Sequence, residues 1–465
     1  MVVPPPSPTS PGTGRPADDD RPAELRTILA AKPSGDTRVD PEARPELQRV
    51  RAAVAALAGG PRSEVPGGVP ARWDLLERTR WPAGGLPTGV SLREIAATVC
   101  APVRFETDNP YSEHRAYPSA RCKFPVRLVA HEAGAAAFLI PEASGTLQVP
   151  AAPGETPDHI ETFSLPAALP SFYGPLRAVL AGLETGHVLA AAALLGRAMG
   201  RPLMVRGRTD GVPAWTDRLP GPALPGYRMT DDSGARPPTP QDAPTTAPTW
   251  NEVLWNRNSG RVPRGVSGFT GTHRTLAASV WRGALAALAA GAQGLGALEA
   301  ARSALGLYCW VRDVEGVEPG CYLVHFDGSA DRVGDLEAAR GALLIDSAPA
   351  PGLAFDLSAC NLVWLVTADP GLACATSPAP APRIAADLLA AAGWTAQHLS
   401  YAMAAHGLFA RPLRSYDAEL AAQALQLDAG QVPVYQLACG PGRFTEPALD
   451  VRQPPTLSGE DEGTT

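Results

Sequence analysis

The chain has 465 residues, of which 45% are hydrophobic and 19% are charged, so it carries apolar material for roughly two to four domains. Its formal net charge of −7 argues against nucleic acid as a main partner. The seven cysteines are odd in number and form no C-x-x-C pair, which argues against a disulfide framework and predicts a reduced, cytoplasmic protein.

Along the chain, two blocks rich in apolar residues lie between segments rich in proline. Residues 1–60 begin with a Pro-, Asp- and Ser-rich stretch that predicts disorder and end with a short helix. We expect a first folded block at 61–208, a Pro-rich linker at 209–249, a second block at 250–453 and a loose acidic tail at 454–465. No secretory signal is visible and no run approaches 18 uncharged apolar residues, so we expect no membrane span.

The two blocks present the same features in the same order. Each opens with a basic and hydroxyl-bearing cluster, a Pro/Gly turn and an apolar helix, and continues into strands joined by Gly-containing turns. Late in each block an apolar helix runs between two glycines of equal spacing before an Arg-Pro-Leu tripeptide; the glycines are Gly186 and Gly200, then Gly393 and Gly407. The sequence therefore predicts an α+β unit duplicated in tandem, whose copies pair within one chain as a pseudo-dimer.

The segment NRNSGR (256–261) is a candidate anion site. It places Ser259 between Arg257 and Arg261, and two guanidiniums flanking a hydroxyl can hold a phosphate through paired hydrogen bonds. Only two of the 40 basic residues are lysines, so in this arginine-rich chain the same arrangement also arises by chance as a solvated helix start. Both interpretations are open on these residues alone.

The order of these features resembles that of the flavin-dependent nitroreductase fold: an R-x-S-x-R cluster on an early helix, a Pro-Ser turn before the strands, and a long apolar helix that ends in glycine. The second block is most similar to the azoline dehydrogenases of ribosomal peptide biosynthesis, which convert thiazolines and oxazolines to thiazoles and oxazoles. The similarity rests on VRDVEGVEPGCYLVHFDG (311–328), AGWTAQHLSYAMAAHGLFARPL (392–413) and VPVYQLACGPGR (432–443). The two-copy layout resembles the dehydrogenases of thiopeptide clusters in particular.

The resemblance implies FMN bound where the two copies meet, with the phosphate held by one copy and the flavin ring by the other. The phosphate ligands would be Arg257, Ser259 and Arg261, with Arg443 either completing the cradle or lying exposed. The ring would lie against the turn YPSARCKFP (117–125) and against the loop after the second long helix; the residues concerned are Pro118, Ser119, Ala120, Cys122, Leu413, Arg414 and Ser415.

The opposite pairing of the blocks lacks the same residues. The first block offers only RTR (78–80) in place of the basic cluster, and the second has RSALGLY (302–308) where the turn would stand. We therefore expect one composite FMN site and one vestigial site, and this asymmetry favours the phosphate interpretation of the NRNSGR cluster. Arg414 either stabilises charge on the reduced flavin or is a surface arginine.

The implied reaction needs a base that removes a proton from one azoline ring carbon while a hydride leaves its neighbour. Some members of the family use a Lys-Tyr pair, which this chain lacks, so the base is unassigned. Five residues are candidates, each of which also suits a structural or solvated position: Tyr401, His398, Lys123, His406 and Tyr416. The motif HEAG (131–134) is not H-E-x-x-H, and no metal site is predicted.

The implied substrate is a ribosomally made, modified precursor peptide, with O2 as the final electron acceptor and a cyclodehydratase or leader-binding protein as a further partner. The identity of the peptide, the preference for thiazolines or oxazolines and the higher oligomeric state are open. Two other functions fit the same residues. One is an NAD(P)H-dependent nitro- or quinone reductase, and the other is a flavin-free scaffold that binds a peptide or a partner enzyme.

Overall fold

The computed structural model of the chain combines helices and sheets, which confirms the predicted α+β class. We call residues 69–232 the N-terminal half and residues 245–442 the C-terminal half. The structure describes residues 19–34, 69–106, 113–132, 135–140, 145–149, 158–212, 222–232, 245–260, 272, 274–335, 360–414, 416, 418–428, 430–442 and 448–452.

Two six-stranded antiparallel sheets form the framework, one in each half. The N-terminal sheet has the spatial order β5-β4-β3-β6-β8-β7, and the C-terminal sheet has the order β11-β10-β9-β12-β14-β13. Counted along the chain, the strands of the two sheets occupy equivalent positions, so the halves share one connectivity. The strands are β3 (Val126–Glu132), β4 (Ala135–Ile140), β5 (Gly145–Val149), β6 (His159–Ser164), β7 (Leu203–Arg208), β8 (Leu224–Asp231), β9 (Leu305–Val311), β10 (Gly320–Val324), β11 (Ala330–Gly334), β12 (Leu362–Ala368), β13 (Phe409–Leu413) and β14 (Val432–Gly440).

The longest helix in each half occupies an equivalent position, because it precedes the fifth strand of its sheet. An N-terminal helix, α1 (Arg21–Leu29), precedes both halves. The N-terminal half contains α2 (Trp73–Arg78), α3 (Leu92–Cys100) and α4 (Leu176–Ala198). The C-terminal half contains α5 (Trp250–Asn256), α6 (Ala278–Ala290), α7 (Glu299–Arg302), α8 (Pro370–Thr376), α9 (Ala381–Ala405) and α10 (Ala418–Ala424).

The two long helices, α4 and α9, cross with their backbones in contact. A Cβ atom at Gly186 would overlap the carbonyl oxygen of Ala390 and lie 2.6 Å from the amide nitrogen of Trp394. A Cβ atom at Gly393 would overlap the carbonyl oxygen of Leu183 and lie 3.2 Å from Cα of Gly186. Glycine is required on both helices because any side chain would separate them.

The other two glycines of the repeated pattern end these helices. Gly200 (φ 83°) and Gly407 (φ 68°) adopt the left-handed conformation that commonly terminates a helix. The Arg-Pro-Leu tripeptides that follow are not equivalent, because 201–203 leads into β7 whereas 411–413 ends β13.

Each half buries side chains of the other. The core around α9 and the C-terminal sheet includes Leu176 and Val179 of α4. The core around the N-terminal sheet includes Trp394 and Tyr401 of α9. A small third sheet also joins distant parts of the chain. In it, β15 (Ala448–Asp450) pairs with β1 (Arg104–Glu106), which pairs with β2 (Glu113–His114).

Two segments correct the domain boundaries predicted from sequence. The helix α1 lies within the residues expected to be disordered, and its Leu25 and Leu29 are fully buried against the long helices. Strand β8 lies within the predicted linker 209–249, between β6 and β7, where prolines and glycines on either side conceal an ordinary strand. The helix predicted over 46–60 and the tail 454–465 lie outside the described residues.

The helix α4 is interrupted by Arg177, Glu184 and Arg197, so it contains no run of 18 uncharged residues. By length and composition it could cross a membrane, with a mean hydropathy of 1.7 over 18 residues. Within that window, 78% is buried inside the fold. The same apolar composition is what a central core helix requires.

The glycine crossing predicts a position-specific loss of stability. The substitution Gly186→Ala should lower the free energy of unfolding by about 1–3 kcal/mol, because the added methyl group must push α4 away from α9. Urea unfolding followed by circular dichroism measures the change. The matched control is Gly283→Ala in α6, where a Cβ atom would meet only the His406 side chain, at 3.1 Å. Equal unfolding curves for the two variants would contradict the close crossing.

Candidate functional site

Arg257 is a buried arginine that caps the C-terminus of α5, with 3% of its surface exposed. Its Nε donates a 3.0 Å hydrogen bond to the carbonyl oxygen of Arg115 in the N-terminal half. Burial, followed by the neighbouring guanidinium of Arg104, lowers the pKa of Arg257 to about 10, so it stays charged at neutral pH. Among the described residues, no ion pair forms with its guanidinium.

A second buried guanidinium, that of Arg104, lies beside Arg257. Nη2 of Arg104 donates to the carbonyl oxygen of Arg257 at 3.1 Å and lies 3.3 Å from the carboxylate of Glu106. Burial and Arg104 lower the pKa of His114, which lies 2.9 Å from Glu106, to about 4, so its imidazole is neutral. Arg257 is therefore a buried cation beside the Arg104–Glu106 pair, and a buried cation is costly unless an anion accompanies it.

The turn 117–124 faces this cluster and has a strained backbone. Arg121 (φ 52°), Cys122 (φ 54°) and Phe124 (φ 46°) are non-glycine residues in the left-handed region, where each costs of order 1–3 kcal/mol. Such strain persists only where surrounding contacts hold it. Four of the residues predicted to contact a flavin ring belong to this turn, and all four are half-buried: Pro118, Ser119, Ala120 and Cys122.

Ser119 anchors the turn to α4. Its hydroxyl donates a 2.6 Å hydrogen bond to Oε2 of Glu184 and accepts one of 2.7 Å from the N–H of Phe124. Burial raises the pKa of Glu184 to about 8, which the Ser119 hydrogen bond only partly offsets. Oε1 of Glu184 and the hydroxyl of Tyr117 are buried without a hydrogen-bond partner among the described residues, as is typical where water or a ligand group completes a site.

A series of buried hydrogen bonds ties the turn to both long helices. The carbonyl oxygen of Ala116 accepts bonds from Nε2 of Gln397, at 3.1 Å, and from the hydroxyl of Tyr401, at 2.8 Å. Oε1 of Gln397 lies 2.8 Å from Nδ1 of His187, whose Nε2 lies 2.9 Å from the hydroxyl of Tyr435. Burial lowers the pKa of His187 to about 4, so the network is neutral. The C-terminal half therefore fixes the position of a turn that belongs to the N-terminal half.

The structure brings two of the five candidate bases to this turn. Tyr401 contacts it through Ala116, and Lys123 belongs to it and is half-buried. Burial raises the pKa of the Tyr401 hydroxyl far above its ordinary value. In the described structure this hydroxyl therefore acts as a hydrogen-bond donor.

The other three candidates lie elsewhere. His398 contacts the end of α6 and His406 contacts Gly283 within it, on the side of α9 that faces α6. Burial lowers the pKa of His398 to about 3, as expected for a histidine enclosed in a core. Tyr416 is buried and accepts a 3.3 Å hydrogen bond from Arg414.

The segment that follows Arg257 is fastened to β13. The N–H of Ala410 donates a 2.9 Å hydrogen bond to the carbonyl oxygen of Asn258, and Nη1 of Arg411 donates to that of Gly260 at 3.1 Å. Ser259 lies half-buried between these contacts. Three further residues predicted at the site lie outside the described residues: Arg261, Ser415 and Arg443.

Arg414, at the end of β13, contacts the N-terminal segment. Its Nη2 donates to the carbonyl oxygen of Leu29, the last residue of α1. Five residues later, the N–H of Ser34 donates a 3.0 Å hydrogen bond to the carbonyl oxygen of Phe172. The segment 29–34 thus passes from the C-terminal half to the N-terminal half, with Arg414 and the half-buried Leu413 at one end. A contact between Arg414 and a flavin stays a prediction.

The second junction between the halves is built differently. Arg80 and Arg257 each follow by seven residues the tryptophan that begins their helix, Trp73 or Trp250. Nη1 of Arg80 donates to the carbonyl oxygen of Ala247 rather than reaching a turn. Residues 302–308, which would hold the second turn, form the end of α7 and the start of β9.

Sequence analysis missed several residues that build the site. Glu184 and His187 lie in a helix that the sequence identifies only as apolar. Two polar residues three apart on its buried face are a usable signal of a buried polar site. Gln397 gave a similar signal on α9. Arg104 and Arg115 gave none, because their role depends on the fold that brings β1 and β2 beside Arg257.

A cavity of about 410 Å³ lies beside the site, between α2 and α5. Its wall includes the carboxylates of Glu77 and Glu252 and the side chain of Trp255. Arg452 also lines the cavity but is paired with Asp450, so the two carboxylates make it unsuitable for a phosphate. The segment at Arg257 stays the candidate phosphate site.

Comparison with known proteins supports the fold. No protein-family profile and no curated protein matches the chain. Among solved structures, a protein from Anabaena variabilis ATCC 29413 assigned as a nitroreductase superposes with a TM-score of 0.55 at 13% identity, over 75% of this chain and 87% of the other. The fold is nitroreductase-like.

Two further structures match over shorter portions. A protein from Ralstonia eutropha JMP134 assigned as a nitroreductase matches with a TM-score of 0.32 at 17% identity, over 44% of this chain and 88% of the other. The Escherichia coli microcin synthetase McbBCD complex with truncated pro-MccB17 bound matches with a TM-score of 0.30 at 11% identity, over 43% and 84%.

The carboxyl of Glu184 predicts a specific pH dependence of stability. Because its folded pKa of about 8 exceeds the ordinary value of 4.5, the folded chain holds the proton more tightly, and stability falls as pH rises between these values. Urea unfolding of the wild-type chain and of Glu184→Gln, compared between about pH 5.5 and about pH 8.5, should show the smaller fall in the variant. Parallel pH profiles would contradict a buried, protonated Glu184.

Proposed function

We propose that the protein is an FMN-dependent dehydrogenase that oxidises thiazoline or oxazoline rings of a ribosomally synthesised peptide to thiazoles or oxazoles. The observation that carries the flavin part is the position of Arg257, a buried cation without an acidic partner among the described residues, beside a turn from the other half. The nitroreductase-like fold supports it. The azoline specificity rests on the three C-terminal segments that resemble azoline dehydrogenases.

The residues present fit an FMN phosphate. The buried guanidinium of Arg257, which forms no ion pair among the described residues, suits an anion, and hydrogen bonds from guanidiniums to phosphate are short and strong. Ser259 adds a hydroxyl on the same segment, and Arg261 and Arg443 are further proposed ligands.

The turn 118–123 suits the flavin ring. Its residues are half-buried, and the hydrogen bond from Ser119 to Glu184 fixes the turn to α4. The turn therefore needs no rearrangement to receive a planar group. When bound, FMN supplies a two-electron acceptor for the substrate hydride, with O2 as the proposed final oxidant. Of the two candidates at the turn, the buried Tyr401 hydroxyl already donates to Ala116, so Lys123 is the one proposed to handle the ring proton.

We also propose that the halves arose by duplication and that the junction at Arg80 is vestigial. The shared strand order supports duplication. We propose a cytoplasmic location, which the seven free cysteines support, and a modified precursor peptide as substrate. A cyclodehydratase or leader-binding protein is the proposed partner.

A nicotinamide-dependent nitro- or quinone reductase is the second candidate function. The structural match to a protein assigned as a nitroreductase favours it. Both candidates need the flavin site, and they differ in the electron donor. A flavin-free scaffold would need neither.

The flavin proposal predicts one FMN per chain. Arg257→Ala should abolish retention, because the phosphate loses the cation that fixes it, while Arg80→Ala should keep the flavin at the wild-type ratio. The measurement is the absorbance spectrum of each purified protein, with released flavin counted against protein. Colourless wild-type protein that gains no flavin on titration would favour the scaffold. Two flavins per chain would contradict a vestigial junction.

The choice of electron donor separates the two enzymes. Under anaerobic conditions, an azoline-containing peptide should bleach the flavin absorbance within one turnover, whereas NADPH should bleach it slowly or not at all. The hydride must come from the azoline if the proposed reaction is correct. Rapid bleaching by NADPH alone would favour the reductase.

A further inference from the structure

Three potential metal ligands meet on one face of the N-terminal sheet. His159 and Glu161 are two residues apart on β6, and His131 on β3 is paired directly with His159. Side chains at positions i and i+2 of a strand, and at the paired position of its neighbour, project from the same face. The alternating residues Ala130 and Ile160 belong to the core that contains α4, so the three ligands lie on the opposite face.

The distances suit a small cation. Nε2 of His159 lies 3.2 Å from Oε1 of Glu161, and Nε2 of His131 lies 3.6 Å from Oε2. All three ligand atoms lie within 4.8 Å of one another. In a tetrahedral zinc site with bonds of about 2.1 Å, neighbouring ligand atoms are about 3.4 Å apart.

The polar atoms of this group are not all satisfied by the protein. Nε2 of His131 is buried and has no hydrogen-bond partner among the described residues. The side chain of His159 is only 2% exposed. The two imidazoles stack at 4.3 Å with an angle of 7° between their planes, so both nitrogens are directed toward one carboxylate without converging, and one ring must turn about its Cβ–Cγ bond to complete a site.

Arg228 on β8 already contacts the Glu161 carboxylate that a metal ion would need. Its Nη2 lies 2.8 Å from Oε1 of Glu161, and its side chain is 41% exposed. An exposed arginine can move into solvent when a divalent cation takes its place, because a surface ion pair contributes little.

We propose that His131, His159 and Glu161 bind one divalent transition-metal ion of the zinc type, with Arg228 displaced on binding. Two imidazole nitrogens and one carboxylate oxygen leave a fourth position open. The ion would join β3 to β6 across the outer face of the sheet. This site is separate from the proposed flavin site and does not depend on it.

Equilibrium dialysis of the full chain against ZnCl2, with bound metal counted per chain, tests the proposal. One Zn²⁺ is expected. His131→Asn and Glu161→Gln should each weaken binding by about 100-fold, since losing a group that merely orients a ligand already costs 10- to 100-fold. Arg228→Gln should strengthen it. His325→Asn is the matched control, because His325 pairs with Asp331 at 3.0 Å on an exposed hairpin away from this sheet.

Co²⁺ distinguishes this site from the cysteines. The spectrum of the Co²⁺-loaded chain should lack the charge-transfer band of a thiolate ligand, and Cys122→Ser, which removes the half-buried thiol, should leave it unchanged. The proposal is overturned if Zn²⁺ binds neither the wild-type chain nor Arg228→Gln. It is also overturned if binding persists at full strength in His131→Asn and Glu161→Gln, which would mean adventitious metal only.

Discussion

The contact between Gly186 and Gly393 is the constraint on which the rest of the structure depends. Two helices of 23 and 25 residues approach until backbone touches backbone. At that separation each helix presents side chains to the core of the other half, so neither half has a complete core alone. Burial of apolar surface, the main driving force of folding, is therefore also what joins the halves.

The same crossing creates the candidate site. Because α9 reaches into the N-terminal half, Gln397 and Tyr401 can hold the carbonyl oxygen of Ala116, and the turn that follows is fixed by residues of both halves. Because the halves lie side by side, the C-terminus of α5 directs Arg257 at that turn. A rigid turn and a buried positive charge are thus products of one packing arrangement. Each is costly in isolation, since the first stores backbone strain and the second is a buried charge.

Much of this arrangement could be predicted from sequence because it rests on local patterns. The glycine spacing in the two long helices and the strands joined by Gly-containing turns are visible in the sequence, and the structure has both helices and both sheets. Strand β8 could not be predicted in the same way. Its flanking prolines resemble a linker, and its pairing between β6 and β7 depends on partners distant in sequence.

The same difference between local patterns and long-range contacts decides which parts of the site could be predicted. Arg257 and the turn at 117–125 are recognisable from their residue types and neighbours. The groups that complete them are not, because Arg104, Glu184 and His187 acquire their roles from partners far along the chain. The group of His131, His159 and Glu161 is a further case, since its two strands are brought together only by the sheet.

The two junctions between the halves, at Arg257 and at Arg80, differ although the halves share one connectivity. At one junction the charged Arg257 is buried without an ion pair among the described residues. At the other, the N–H of Trp81 donates to Pro248 and that of Trp250 donates to Thr79, so the segments flanking the two helices are joined directly. There Trp81 and Trp250 pack edge to face with ring centroids 4.7 Å apart, and both contact the ring of Tyr401, whose hydroxyl reaches Ala116 at the first junction. Aromatic packing of this kind stabilises an interface without any bound group. In a dimer of identical chains both junctions would have to serve the same purpose, whereas within a single chain one can become core while the other keeps its charge.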